Sequence, residues 1–171
     1  MKDKHQAGFS LVELLIVVCI LGILASIAIP NLLASRRAAN ESSAQASLRT
    51  IHSAQTTYQT TVGSGNFGAL GGVGCTPDGS RTLCGQSLVD RLLGTGSKSG
   101  YNFAVNKTDL VLGTSPAKFY ATAVPQVITG VGKTGTRRFG VATDGTVHGD
   151  RTALTAYASE AAVIAAPPLG N

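Results

Sequence analysis

Residues 4–37 read KHQAGFSLVELLIVVCILGILASIAIPNLLASRR, and one acid, Glu13, stands near the start of this most apolar stretch of the chain. Beyond it, the 22 residues Leu14–Ser35 carry no charge. As a helix, that run is long enough to cross a hydrocarbon core of about 30 Å. A carboxylate in such a setting costs roughly 2.5–3.5 kcal/mol on the mildest estimate, so its presence calls for a functional reason. The leader before it, Met1–Gly8, is short and polar and contains Lys2, Lys4 and His5. An ordinary secretory signal is cut after its apolar region, at small residues. Here the small-residue junction beside the basic leader is Ala7-Gly8-Phe9, ahead of the apolar run. A cut after Gly8 leaves the apolar helix on the mature chain. Phe9 then comes first and Glu13 lies one helical turn from the new amino terminus.

The string from Gly8 to Pro30 resembles the class III signal of prepilins, the type IV pilins (type IVa-like) and their pseudopilin relatives. The matching parts are the Gly8-Phe9 junction, Glu13, Gly22 and Pro30, and the match is dense over residues 8–36. The resemblance implies cleavage after Gly8 by a prepilin peptidase and N-methylation of Phe9. It implies a helical filament whose core is a bundle of these N-terminal helices, with Glu13 serving assembly by meeting the Phe9 amine of a neighbouring subunit. In related filaments the segment between such a glycine and proline unwinds during packing, which marks Gly22 and Pro30 as points of helix flexibility. The implied partners are other pilin subunits, the peptidase, an inner-membrane assembly platform with its cytoplasmic ATPase, and an outer-membrane secretin. The implied location is the inner membrane, as a single-pass precursor with a cytoplasmic N-terminus, and then an extracellular pilus. The implied role is structural, in motility, adhesion or DNA uptake, with no catalytic activity, cofactor or metal. The alternative is a pseudopilin of a type II secretion system. Major pseudopilins usually carry a Trp-containing motif and a calcium-binding loop, and this chain has no Trp and no acidic ligand cluster in its sequence. A tethered periplasmic enzyme or binding domain would require a constellation of site residues that the sequence does not present.

Charge gives neither orientation nor partner. Lys2 and Lys4 flank one end of the span and Arg36 and Arg37 the other, so the positive-inside comparison is a tie. The formal charge of +5 falls to +4 once Lys2, Asp3 and Lys4 are removed with the leader. Outside Arg36-Arg37 and Arg137-Arg138 the basic residues form no cluster, so the excess reads as solubility and gives no support to DNA binding.

The expected fold is α+β: a long N-terminal helix, transmembrane in its first half and amphipathic in its second, packed on a C-terminal antiparallel sheet. The helix is predicted over residues 9–62, with the span at about 14–35. Leu48, Ile51, Gln55, Tyr58 and Val62 recur at spacings of three and four, an apolar stripe with one polar interruption, before Gly63 and Gly65 end the pattern. Pro30 removes a backbone donor and Gly22 is a poor helix former, so both should loosen the helix. A Gly-rich loop is predicted over residues 63–100, broken by a short helix at Ser87–Leu93. The head and tail fill residues 101–171, with β-like runs at 101–105, 110–112, 118–124 and 137–149. The last splits at Asp144-Gly145, a strong hairpin signal. The Ala-rich tail from Arg151 gives no clear element.

Cys75 and Cys84, with eight residues between them, lie where an exported domain meets an oxidising compartment. A structural disulfide worth about 2–3 kcal/mol fits that spacing better than a zinc or redox motif. Cys19 reads as a small hydrophobe in the apolar helix. Catalytic motifs fall away on inspection. In GVGKTG (130–135) the first glycine of a P-loop is replaced by Val127, and a strand pattern follows where a helix is required. His5, His52 and His148 are scattered, and Asp144 and Asp150 read as turn formers. Asn40-Glu41-Ser42 and Asn106-Lys107-Thr108 have the form of sequons, a weak pattern.

Overall fold

The computed structural model describes residues 9–72, 75–151 and 154–169; Gly8 and the rest of the leader lie outside the described residues. The chain divides into two units, Met1–Ser35 and Arg36–Asn171. One helix, α1 (Leu11–Thr61), forms the described body of the first unit and opens the second.

In the first unit, every residue from Phe9 to Leu32 is exposed. The apolar side chains there have no cover of their own, which is the condition of a helix solvated by lipid or by other helices. The helix runs through Gly22 and Pro30 without a break. Pro30 has no N–H, so the Ser26 carbonyl lacks its usual donor four residues on. The Ser26 hydroxyl is satisfied locally, donating to the Ile23 carbonyl at 2.7 Å. At Gly22 a side chain would meet nothing within 4 Å.

In the second unit, α2 (Arg91–Gly94), β1 (Ser97–Lys98), β2 (Tyr101–Thr108), β3 (Lys118–Pro125), β4 (Arg138–Ala142), β5 (Val147–Asp150) and α3 (Glu160–Ile164) follow α1. The five strands form one antiparallel sheet in chain order. Its longest pairing, β2 with β3, runs from Tyr101 opposite Pro125 to Thr108 opposite Lys118. Alternation then sorts the two faces. Tyr101, Phe103, Ala121, Ala123, Phe139, Val141 and Val147 form one buried cluster with Ala44, Leu48, Ile51, Ala54 and Tyr58 of α1. The stripe read from the sequence is thus the face that packs on the sheet. Gln55, its polar member, is fully buried and closes a two-bond bridge to the Gly68 backbone: its Nε2 donates to the carbonyl at 2.6 Å, and Oε1 accepts from the N–H at 2.8 Å.

The opposite face of the sheet is covered too. Tyr157 and Val163 pack on Ala142, with Tyr120 and Ala162 at the edge. The tail returns alongside β5, where Gly149 N–H donates to Pro167 O at 3.0 Å and Leu169 N–H to Val147 O at 2.8 Å. At Gly140 any side chain would press on Val163 and Tyr157, so the glycine sets how closely the tail approaches.

Two expectations need correction. Leu110–Leu112 is not a strand; it sits in the β2–β3 connection as a turn closed by a single bridge from Val111 to Ser115, with Leu112 exposed. Asp150 is not a turn former; it ends β5 and pairs with Arg138 at 2.8 Å. Asp144 does shape the hairpin, accepting from Thr146 N–H at 3.3 Å beside Gly145 with φ +77°. The expected short helix is a single turn, α2, capped by Asp90, whose Oδ1 accepts from Leu93 N–H at 3.0 Å. The GVGKTG segment lies in the β3–β4 loop and leads into a strand, as its pattern implied.

Candidate assembly site

The first helical hydrogen bond runs from Leu14 N–H to Ser10 O at 3.2 Å, so Ser10 stands where the chain enters α1. Phe9 lies just before it and is exposed. Glu13 sits in the first turn, where unpaired N–H groups and the helix dipole favour a negative charge. Phe9 and Glu13 are four residues apart at the N-terminal end of an apolar helix whose side chains are exposed. Chemically, that end offers one carboxylate, and after cleavage it would offer one amine, in a surface that otherwise has only dispersion contacts to give. Gly8, where the sequence leads us to expect the cut, lies outside the described residues. Cys19 is a free thiol, exposed with the rest of the span.

In the second unit the chemistry is structural. Glu41, 7% exposed, receives three bonds: from Thr136 N–H at 2.8 Å, Thr136 Oγ1 at 2.7 Å and Arg137 Nε at 2.9 Å. Burial alone would raise its pKa, but the Thr136 and Arg137 donors outweigh it and hold the carboxyl below its ordinary value of 4.5. One residue earlier, Asn40 Nδ2 donates to Thr134 O at 3.0 Å. Tyr101 completes the network, donating to Arg137 O at 2.9 Å; burial first, and the nearby Glu41 charge second, push its phenol well up. These contacts fasten the start of the amphipathic half of α1 to the head of β4. The sequence reading missed Glu41; the spacing of three and four, extended backward from Leu48 through Ala44, places it on the buried face but names no partner.

A disulfide joins Cys75 to Cys84 with Cα atoms 6.0 Å apart. It packs on Gly94 at the end of α2, where a Cβ would collide with Cys75 Sγ and come within 2.8 Å of Cys84 Cβ. His148, buried, bonds the Ala166 carbonyl through Nδ1 at 2.7 Å and faces Asp144 at 3.5 Å, a role in seating the tail. Among the described residues, no group of three His, Cys, Asp or Glu is placed to hold a metal.

Residues 3–29 match the family described as the prokaryotic N-terminal methylation motif. The chain is 45% identical over 56 residues to the type IV major pilin protein PilA of Myxococcus xanthus, covering 33% of this chain and 26% of that one. It is 46% identical over 56 residues to the type IV wide pilus major component PilA4 of Thermus thermophilus, covering 33% and 43%. It is 36% identical over 59 residues to the type II secretion system core protein G of Aeromonas hydrophila, covering 34% and 41%. The chain thus spans between 26% and 43% of the length of these curated relatives. No solved structure matches. The N-terminal segment is that of the type IV pilin and prepilin family, and the α+β arrangement agrees with the pilin fold.

Proposed function

We propose that this chain is a structural subunit of a type IV pilus filament, inserted in the inner membrane as a precursor and drawn into an extracellular polymer of copies of itself. The observation that carries the reading is the pairing of the methylation motif with an apolar helix whose side chains are all uncovered. A helix of that kind needs either lipid or its own copies around it, and a filament core supplies the second after the membrane has supplied the first. Cleavage after Gly8 leaves a cationic amine on Phe9, still cationic when methylated once. In an incoming subunit that amine meets Glu13 of a neighbour. Each charge is expensive alone in an apolar bundle, and docking in register cancels both. The prepilin peptidase, the assembly platform with its ATPase and the secretin enter as the partners such a path requires. No residue of the head is assigned a catalytic role or a cofactor.

The similarity to protein G supports a second reading, a pseudopilin whose short filament drives export. The absence of Trp from the chain weighs toward the pilus. Imaging with an antibody to the chain separates them: long labelled surface filaments are expected. Loss of protein export in the deletion strain, with no long filament on the parent strain, would favour the secretion reading. The intact mass of membrane-extracted protein is expected to begin at Phe9 with one added methyl group. A chain still carrying Met1–Gly8, in cells with an active prepilin peptidase, would overturn the processing step.

A further inference from the structure

We infer that the β3–β4 loop is a lipid-docking element, which seats the head on an anionic membrane surface before assembly. The inference rests on the reading of residues 14–35 as a membrane span, and otherwise uses the second unit alone. The loop, residues 126–137, is pinched at its base: Val127 N–H donates to Thr134 Oγ1 at 3.1 Å and Thr134 N–H to Val127 O at 3.0 Å. Residues 128–133, Ile-Thr-Gly-Val-Gly-Lys, form the closed tip, and all six are exposed. Val131 is 76% exposed and Ile128 44%. Two aliphatic side chains are thus held out to water at the tip of a tied loop.

Where the loop is tied identifies the occupant. Asn40 Nδ2 holds the Thr134 carbonyl, so the loop sits at the end of the head where α1 enters it. Arg36 is exposed and lies one turn before Asn40 on the same face of α1. The uncharged span ends at Ser35, immediately before it. Whatever the angle between the two units, the chain must leave the bilayer within a turn or so of the loop's anchor. Lys133, two residues from Val131 in the tip, is exposed as well, and Glu41, the acid next to Asn40 in the chain, is taken up by Thr136 and Arg137. The surface is therefore apolar at its tip and cationic around it. This pattern suits the boundary between acyl chains and anionic head groups, the aliphatic groups entering and the cations staying among the phosphates. The other exposed apolar loop, with Leu112 87% exposed, hangs from the opposite end of β3 and serves as an internal contrast.

The test uses the full chain in vesicles of phosphatidylcholine with and without a third of phosphatidylglycerol. A fluorophore sensitive to polarity is attached at one thiol at a time. The native Cys19 reports the span; Val131→Cys, Ile128→Cys and Leu112→Cys, each with Cys19→Ala, report the loops, and the Cys75–Cys84 disulfide is left oxidised. Nitroxide lipids labelled near the head group are the quencher. At least twofold quenching is expected at the Val131 and Ile128 sites in anionic vesicles, and under a tenth of the signal lost at Leu112. Adding Lys133→Glu should at least halve the quenching at Val131. If the Cys19 label is quenched by deep nitroxides while Val131 and Ile128 behave like Leu112, the docking is wrong and the span stands. If the Cys19 label stays in water, both fall. A blue-shifted Val131 label that lipid nitroxides do not quench means protein contact, and replaces lipid by a second copy of the chain.

Discussion

Glu41 ties α1 to a distant part of the head. It takes three donors from a segment 95 positions along the chain, and its removal leaves Arg137 and the Thr136 N–H without their acceptor. Breaking a fully buried pair costs about 3–5 kcal/mol, and partial wetting of Arg137 lowers the expectation for Glu41→Ala to about 2–4 kcal/mol. Denaturant unfolding of the detergent-solubilised chain measures it. The same carboxyl gives the head an acid limit. Its folded pKa lies below the ordinary value of 4.5, so its stabilisation is fully present above that pH and is lost as pH falls through the folded pKa. Stability measured from pH 6 down to pH 3 should fall in the native chain, and Glu41→Gln should flatten the part of that fall due to this site. Glu13 behaves differently, since it lies exposed in the first unit. Glu13→Ala is expected to leave insertion and cleavage intact while surface filaments fail. A normal filament count from mature, membrane-bound Glu13→Ala subunits would remove charge pairing as the source of register.

Among the elements, the loop between α1 and the sheet is organised by two short ties. Gln55 reaches from α1 to both backbone groups of Gly68, and the Cys75–Cys84 disulfide rests on Gly94. Gln55→Leu keeps the stripe apolar yet strands a buried N–H and C=O, so it should destabilise by about 1–3 kcal/mol, despite raising the hydrophobicity of the helix. Gly94→Ala has no room beside the sulfurs. Overpacking of this kind costs about 1–3 kcal/mol, and the variant should show a lower melting temperature together with faster reduction of the disulfide by dithiothreitol. A melting temperature and reduction rate equal to those of the native chain would show that the loop moves aside without cost.

Taken as one chain, the protein joins an apolar segment with exposed side chains to a head with its own buried core. The apolar run and its acid were legible directly, because an uncharged run of 22 residues and a single carboxylate are local facts needing no partner to be seen. The helix-to-sheet packing was nearly as legible: a stripe at spacings of three and four must find an apolar sheet, and the strands with the Asp144-Gly145 turn were present to supply it. What the linear pattern withheld depends on contacts between distant segments. Glu41 carries no mark of Thr136 and Arg137, and Gln55 reads as a flaw in the stripe until Gly68 is placed opposite it. The run Leu110–Leu112 has strand composition, but Val111 bridges Ser115 within the same connection, and the run lies in an exposed turn. The tail, too rich in alanine to show a period, acquires its position only because β3 and β4 leave a second face to cover and Gly140 leaves room for Tyr157 and Val163 to cover it. Periodicity reports which face of an element is apolar; which segment meets that face is settled when the whole chain competes for it, and that competition is not written in any one stretch of sequence.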